Sequence, residues 1–266
     1  MRLSIDHRTV YRFSEPQSRL VQMLRLTPEN THDQTVAGWR IDVDRDARLR
    51  EGRDGFGNAV TMLYVEGPLD GIAITVSGEV LTSTSSGVLR GAAEMLPPPL
   101  YLRATDMTPR DPAIIAFADE ATGAGDPLGR LHRWNAALHA RFEMDMGRPE
   151  PGLDAGGAFQ RPVATPRDLT HIFCVGARGL GIPARYVSGY ALRVDGHRAT
   201  PHAWAEAHID GLGWVAFDPC TGMCPEEDYV RVATALDAVG AAPVAGSRLG
   251  DGEEDLAVDV SVMRED

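Results

Sequence analysis

The stretch Thr165-Pro166-Arg167-Asp168-Leu169-Thr170-His171 predicts the start of a helix in this 266-residue chain. Thr165 suits the N-cap position, and Asp168, three residues later, suits the acidic partner of a capping box, where it also favours the helix dipole. Proline is well tolerated at the first helical position, because its φ is already helical and its missing N–H would have no partner there. An apolar stripe at helical spacing then follows: Leu169, Ile172, Phe173 and Leu180.

Strand patterns follow this predicted helix, and helical patterns precede it. The predicted strands are residues 184–192, 202–209, 214–217, 229–234 and 256–262. Two predicted helices cover residues 113–121, after Asp111 and Pro112, and 127–142, after Asp126. Residues 144–164 are rich in Gly and Pro and predict an irregular loop. Helices followed by an antiparallel sheet are typical of an α+β core.

Three further motifs follow the helix start in the sequence and indicate a more specific fold. They are Gly181-Ile182-Pro183-Ala184-Arg185-Tyr186, then His202-Ala203-Trp204-Ala205-Glu206, then Gly213-Trp214-Val215-Ala216-Phe217-Asp218-Pro219. Together with the helix start, these motifs resemble the transglutaminase-like superfamily. The resemblance implies a papain-like fold in which a cysteine at a helix start attacks an amide carbonyl. A histidine on a strand and then an aspartate serve that cysteine.

Carried over by motif, the resemblance assigns the histidine position to His202 and the aspartate position to Asp218. It assigns Asp168, Trp204 and Cys220 to the cleft. A purely structural interpretation stays open for His202 and Asp218. His202 could be a polar residue on a half-exposed strand, and Asp218 could be a turn residue before Pro219. Without a thiol beside it, the pair could also be a structural hydrogen bond alone.

Pro166 occupies the position at which the family carries its nucleophile. The family pattern, roughly Gly-Val-Cys-Gln-Asp-Phe-Ala-His, lies without a gap over residues 164–171, and only Asp168 and His171 are unchanged. The nucleophile must be a thiolate, which a helix N-terminus and a neighbouring imidazolium stabilise. Proline has no sulfur, so the replacement preserves the helix start and removes the reaction.

Other side chains do not obviously replace the missing sulfur. Cys174 lies eight residues past Pro166, about 12 Å further along a helix, and is interpreted as a buried structural thiol. Cys220 follows Asp218 by two residues, where the family usually has threonine, and is predicted near the site rim without oxyanion donors on the correct side. Thr165 and Ser188 have hydroxyls, but a hydroxyl needs a base in contact.

No metal and no cofactor are expected. His202, His208, Cys220 and Cys224 are considered as possible zinc ligands, because histidine and cysteine are common ligands of zinc. However, the two histidines span about 20 Å of extended chain, and two cysteines separated by three residues are a loose spacing for zinc ligands.

The pattern of the first ~85 residues predicts β-strands. Apolar residues alternate in four groups: Leu3 to Phe13, Trp39 to Val43, Val60 to Tyr64 and Ile72 to Val76. Turns are predicted at 55–58 and at 67–71. This pattern predicts a small all-β sandwich or barrel, and it resembles the N-terminal β domain of bacterial transglutaminase-like proteins. The expected division is an N-terminal β domain at 1–90 and the transglutaminase-like core at 91–266, with a linker that contains 82–87 and 97–99.

Composition indicates which classes of partner and which cellular location to expect. The net charge of −12, with no basic patch, argues against nucleic acid. No apolar run approaches the ~20 residues of a membrane span, so no membrane partner is expected, and the first residues contain no apolar signal segment. Three cysteines, an odd number, fit a reducing compartment. A cytoplasmic location is the expectation.

Two functional hypotheses remain. In the first, the protein is a pseudoenzyme whose cleft binds a peptide or protein, as the inactive member of a complex. The resemblance suggests an active transglutaminase-like protein or an ATP-grasp-type ligase as that partner. In the second, the protein is an amidase, peptidase or transamidase that uses another nucleophile or a water activated by His202. The absent cysteine favours the first hypothesis.

Overall fold

The computed structural model describes residues 1–192 and 201–265. These residues form two large sheets, one two-stranded sheet and four α-helices. A short 3₁₀ helix at Pro98–Leu102 lies before the first α-helix. In chain order the remaining elements are β1 (Arg2–Leu24), β2 (Gln34–Val43), β3 (Arg48–Arg53), β4 (Ala59–Thr82), α1 (Pro112–Thr122), α2 (Pro127–Arg141), β5 (Glu143–Met144), α3 (Ala155–Phe159), β6 (Val163–Ala164), α4 (Pro166–Gly179), β7 (Ala184–Ala191), β8 (His202–Ile209), β9 (Gly213–Phe217), β10 (Tyr229–Ala235), β11 (Val244–Leu249) and β12 (Glu254–Glu265).

The first sheet is built on two long antiparallel strands, β1 and β4. Their pairing runs from Arg2 with Leu81 to Leu24 with Thr61, and its register shifts between Arg12 and Arg19. Strand β2 pairs with the second half of β4, and β3 pairs with the first half. Buried residues from both halves of these strands form one hydrophobic core, among them Tyr11, Leu24, Leu63 and Ile74. The two halves therefore pack on each other as a small sandwich, as the alternating pattern predicts.

One predicted turn in this domain is wrong. Residues 60–64 and 72–76 belong to the same strand, β4, and the expected turn at 67–71 lies inside it. A Cβ on Gly67 would collide with the backbone of Gln17, and a Cβ on Gly71 would collide with the backbone of Tyr11. These glycines permit close approach of two backbones at the bend rather than a chain reversal.

The last two strands belong to the first sheet. Strand β12 pairs with the first half of β1, and β11 pairs with the second half. The expectation that residues 256–262 form a strand of the core sheet is therefore wrong, although they do form a strand. Val260 is buried in one cluster with Leu3 and Ile5. An alternating pattern indicates a strand but does not indicate which sheet edge accepts it.

The second sheet and the helices form the expected α+β core. Its strands are antiparallel in the order β10-β7-β8-β9. Helix α4 packs on β8 and on the other helices, and the Trp134 indole of α2 donates a hydrogen bond to the Phe173 carbonyl at 3.1 Å. The predicted loop at 144–164 contains α3 and the short parallel pair β5 and β6.

Apolar and polar contacts join the two sheets. Leu3 and Val80 of the first sheet share a buried cluster with Tyr190 and Val230 of the second. The Asn58 side chain donates to the Thr234 carbonyl and accepts from the Thr234 amide, both at 2.8 Å. Strand β10 therefore contacts the N-terminal part of the chain through both apolar and polar groups. Among the described residues, no helix has both the length and the apolar character needed to cross a membrane.

Candidate functional site

Helix α4 begins at Pro166, as the sequence predicts. The Thr165 hydroxyl accepts from the Asp168 amide, and the Asp168 carboxylate accepts from the Thr165 amide, which completes the capping box. Arg167 donates to the remaining carboxylate oxygen of Asp168 through Nε at 3.0 Å and Nη2 at 2.7 Å. Asp168 is buried, and both its oxygens accept hydrogen bonds. Its observed contacts therefore stabilise the helix start.

We expect Thr165→Ala to lower the free energy of unfolding by about 1 kcal/mol, because the variant loses the N-cap hydroxyl. The midpoint of urea unfolding, compared at constant m-value, measures this loss. Thr165→Ser keeps the hydroxyl and should recover most of the stability. Equal stability of the alanine and wild-type proteins would show that the cap does not hold this helix start.

His202 and Asp218 form a buried hydrogen-bonded pair. His202 begins β8, and Asp218 directly follows β9, the neighbouring antiparallel strand. His202 Nε2 lies 2.8 Å from Asp218 Oδ2. The Tyr229 hydroxyl donates to the same oxygen at 2.7 Å, and the Cys220 amide donates to Oδ1 at 2.8 Å. The adjacent strands therefore bring two distant motifs into direct contact.

The surroundings keep the Asp218 carboxylate ionised. Burial alone would raise the pKa of Asp218, but the His202 imidazole and the donors from Tyr229 and Cys220 outweigh it, so the pKa is lowered. The His202 ring also packs against the Trp204 and Tyr229 rings. Trp204 contacts Tyr229 edge to face and lines a different cavity. The imidazole is thus oriented from two sides, by a charge and by aromatic packing.

Pro166 and His202 line one cavity of about 180 Å³. Small and apolar side chains form most of its wall, and Arg167, Ser188 and His202 contribute polar groups. Sequence reasoning did not find several of its wall residues, namely Pro149, Tyr186, Ala241, Ala242 and Pro243. Tyr229 was also missed as a partner of Asp218. Tyr186 stands in a quoted motif but was not assigned to the site. Nothing in the local sequence marks the others, because they reach the site only through the packing of distant segments.

The three cysteines differ in their surroundings. Cys174 is fully buried inside α4, and burial raises the pKa of its thiol to about 11. Burial also raises the pKa of Cys224 to about 11. Cys220 is buried beside the His202–Asp218 pair, and one potential ligand atom from each of these three residues lies within 4.8 Å of the other two. The cysteine is therefore part of the pair's immediate surroundings.

No cysteine should react with iodoacetamide at the rate of an activated thiolate. Cys174 and Cys224 have raised pKa values, and Cys220 is buried. Alkylation followed by peptide mass spectrometry gives the rate at each position, with the urea-unfolded protein as the reference for full access. Rapid labelling of Cys220 that slows in His202→Ala would contradict this expectation.

The chain belongs to the transglutaminase-like superfamily. Residues 3–81 match the family model for the bacterial transglutaminase-like N-terminal region, and residues 115–219 match the model for the transglutaminase-like superfamily core. The two matched segments contain the sandwich strands β1 to β4, the helix start at Pro166, and both His202 and Asp218. The resemblance read from the motifs is thereby shown for both parts of the chain.

Relatives from two mycobacteria match nearly the whole of this chain. An uncharacterised Mycobacterium leprae protein, ML0607, is 27% identical, and the match covers 99% of each chain. An uncharacterised Mycobacterium tuberculosis protein, Rv2569c, is 24% identical over 98% of this chain and 91% of its own length. A solved structure from Cytophaga hutchinsonii, described as a candidate cysteine protease, superposes with a TM-score of 0.77 at 19% identity, over 100% of this chain and 92% of the other. At that identity the superposition shows the shared fold alone.

Proposed function

We propose that this protein is a non-catalytic transglutaminase-like protein whose cleft binds a peptide or a protein segment. The observation that carries the proposal is the residue at the helix start. Pro166 shares a cavity with His202, and proline offers no atom that could attack a carbonyl. Asp218, which would orient a catalytic imidazole, is present, but the residue at the helix start carries no sulfur.

The cavity wall supports a peptide ligand. Proline and alanine side chains supply apolar surface, and Tyr186 adds an aromatic ring. Arg167, Ser188 and His202 place hydrogen-bonding groups on the same wall. A mostly apolar pocket with a few polar groups is the common form of a binding site for small or extended ligands. A volume of about 180 Å³ accommodates one or two side chains rather than a large cofactor.

Selection from a random peptide library displayed on phage tests this proposal. We expect peptides that bind the wild-type chain and lose affinity for Ala242→Trp, because Ala242 lines the cavity and an indole there fills it. Ala92→Trp is the matched control, since Ala92 is also half-buried but lines a separate cavity of about 290 Å³. Selected peptides that bind both variants equally would place binding elsewhere, and a library that yields no binder would count against peptide recognition.

The intact His202–Asp218 hydrogen bond favours an alternative function. An imidazole oriented in this way could activate a water or another nucleophile, and the protein would then be an unusual amidase, peptidase or transamidase. Release of fluorescent fragments from labelled casein, lost in His202→Ala, would replace the binding proposal with this one. An inactive wild-type protein that still binds selected peptides would support the binding proposal.

We also propose a cytoplasmic location and a protein partner, either an active transglutaminase-like protein or an ATP-grasp-type ligase. Three cysteines, an odd number, are compatible with a reducing compartment. Fractionation of the source cells, followed by cross-linking and mass spectrometry, tests both points. Recovery in a periplasmic fraction would overturn the location, and cross-links to unrelated proteins alone would overturn the partner.

A further inference from the structure

Three different types of potential metal ligand lie close together beside the cavity that His202 lines. His202 offers an imidazole nitrogen, Asp218 a carboxylate oxygen and Cys220 a sulfur, and these atoms lie within 4.8 Å of one another. The nitrogen–oxygen separation is 2.8 Å. Tetrahedral zinc, with bonds of about 2.0 to 2.3 Å, holds its ligand atoms roughly 3.3 to 3.6 Å apart. The nitrogen–oxygen separation is shorter than that value, and the sulfur lies within 4.8 Å of both atoms. Side-chain movements would therefore have to separate the nitrogen and the oxygen slightly to place all three atoms around one ion.

We infer that His202, Asp218 and Cys220 form a binding site for a divalent transition metal ion, with zinc as the preferred ion. The inference does not depend on the proposed peptide-binding function. A thiolate and an imidazole favour zinc and similar ions over magnesium and calcium, which prefer oxygen ligands. One nitrogen, one oxygen and one sulfur ligand leave a fourth tetrahedral position for water or for a ligand in the cleft.

Charge balance supports a divalent ion at this place. All three residues are buried, and a buried anion is costly unless a cation pairs with it. With Asp218 ionised and Cys220 deprotonated, two negative charges would face the two positive charges of the metal ion. The Tyr229 hydroxyl and the Cys220 amide donate to the Asp218 carboxylate and would hold it in place, as outer partners of metal ligands commonly do.

Metal binding changes the protonation of Cys220 and of the His202 ring. Binding removes the proton of the Cys220 thiol, which leaves to solvent. The ring nitrogen of His202 that faces the ion must be unprotonated, so the ring proton resides on the other nitrogen. Two bonds to the ion replace the hydrogen bond between His202 and Asp218. From a neutral imidazole and an ionised carboxylate, binding one Zn²⁺ therefore releases one proton.

Titration of the purified full chain with Co²⁺ and Zn²⁺ tests the site. After chelator treatment and dialysis, Co²⁺ should give visible bands of a tetrahedral site and an ultraviolet thiolate-to-metal band at one equivalent. Zn²⁺ should displace it. Calorimetry in buffers of different ionisation enthalpy should report about one proton released per Zn²⁺. Cys220→Ala should abolish the thiolate band and weaken Zn²⁺ binding at least about 100-fold.

Cys224→Ala is the matched control, because Cys224 lies four residues away and outside the cluster, and it should bind Zn²⁺ like the wild type. Tyr229→Phe removes an outer partner and should weaken binding by about 10-fold, which keeps the test decisive if Cys220→Ala does not fold. Binding without a thiolate band, binding retained in Cys220→Ala, or equal loss in Cys224→Ala would each overturn the inference. So would the absence of any Co²⁺ or Zn²⁺ binding by the wild type.

Discussion

Pro166→Cys should create a thiol whose pKa lies well below the ordinary cysteine value of about 8.5. The new sulfur would occupy the first position of α4 and line the cavity that His202 also lines. Helix N-termini and nearby imidazolium groups lower thiol pKa values to between about 3.5 and 7.5. The pH dependence of ultraviolet thiolate absorbance, in a Cys220→Ala background, measures the pKa of the new thiol. Cys174 and Cys224 do not interfere, because their pKa values are about 11.

Two variants separate the causes of this shift. The double mutant Pro166→Cys, His202→Ala removes the imidazole and should leave only the effect of the helix N-terminus. Pro112→Cys places a thiol at the first position of α1, which Asp111 caps, and serves as the helix-start control without a neighbouring His202. A new thiol at position 166 that titrates like an ordinary cysteine with and without His202 would show that the helix start and the imidazole are no longer arranged for catalysis.

Glu206→Gln should lower the free energy of unfolding by about 3 kcal/mol, because it removes the buried carboxylate that Arg185 and Arg231 share and leaves Arg185 paired with Glu94 alone. Glu206 lies on β8, four residues after His202, and accepts from Arg185 Nε and Arg231 Nε, each at 2.7 Å. The side chains of Glu206 and Arg185 are each only 2% exposed. Burial would raise the pKa of Glu206, but the charges of and hydrogen bonds from Arg231 and Arg185 dominate and lower it to about 2.

The sign of the pH dependence follows from this lowered pKa. The folded protein keeps Glu206 ionised at pH values where the unfolded chain is already protonated. The stabilisation is therefore complete above about pH 4.5 and is lost as the pH falls towards about 2. Urea unfolding at a series of pH values should show a difference between wild type and Glu206→Gln that shrinks across this interval.

A matched control uses an exposed ion pair. Glu66 pairs with Arg19 at 3.2 Å, but the two side chains are 75% and 57% exposed. Glu66→Gln should therefore change the free energy of unfolding by less than about 1 kcal/mol. Similar losses in the two variants, or a Glu206→Gln protein as stable as the wild type, would contradict the assignment of Glu206 as the centre of a buried charge network that supports β8.

Local signals in the sequence were sufficient to predict α4 and much of the α+β core. The N-cap threonine, the proline after it and the aspartate three residues later each act within one turn of helix, so the helix start could be predicted without the rest of the fold. The caps Asp111 and Asp126 marked α1 and α2 for the same reason. The motif order also indicated His202 and Asp218, and the structure brings them to 2.8 Å.

The pairing of distant strands could not be predicted from local sequence signals. Residues 256–262 have the alternation of a strand, but whether that strand joins the sheet of β8 or the sheet of β1 depends on which edge is open in the folded chain. Gly67 and Gly71 resemble turn residues in the sequence, whereas contact with the backbone of β1 explains them in the structure. Tyr229 precedes no recognisable motif, yet its hydroxyl completes the surroundings of Asp218.

The sequence by itself determined the fold class, the helix start at Pro166 and the absence of a sulfur there, because each depends on residue identity or on contacts within a few residues. Tertiary structure alone decided which sheet receives the C-terminal strands, which side chains line the cavity with His202, and that the Tyr229 hydroxyl donates to Asp218. The physical reason is that burial and contact between distant segments depend on the packing of the whole chain. Sequence periodicity predicts helices and strands, but it does not show which distant residue a single polar side chain will contact.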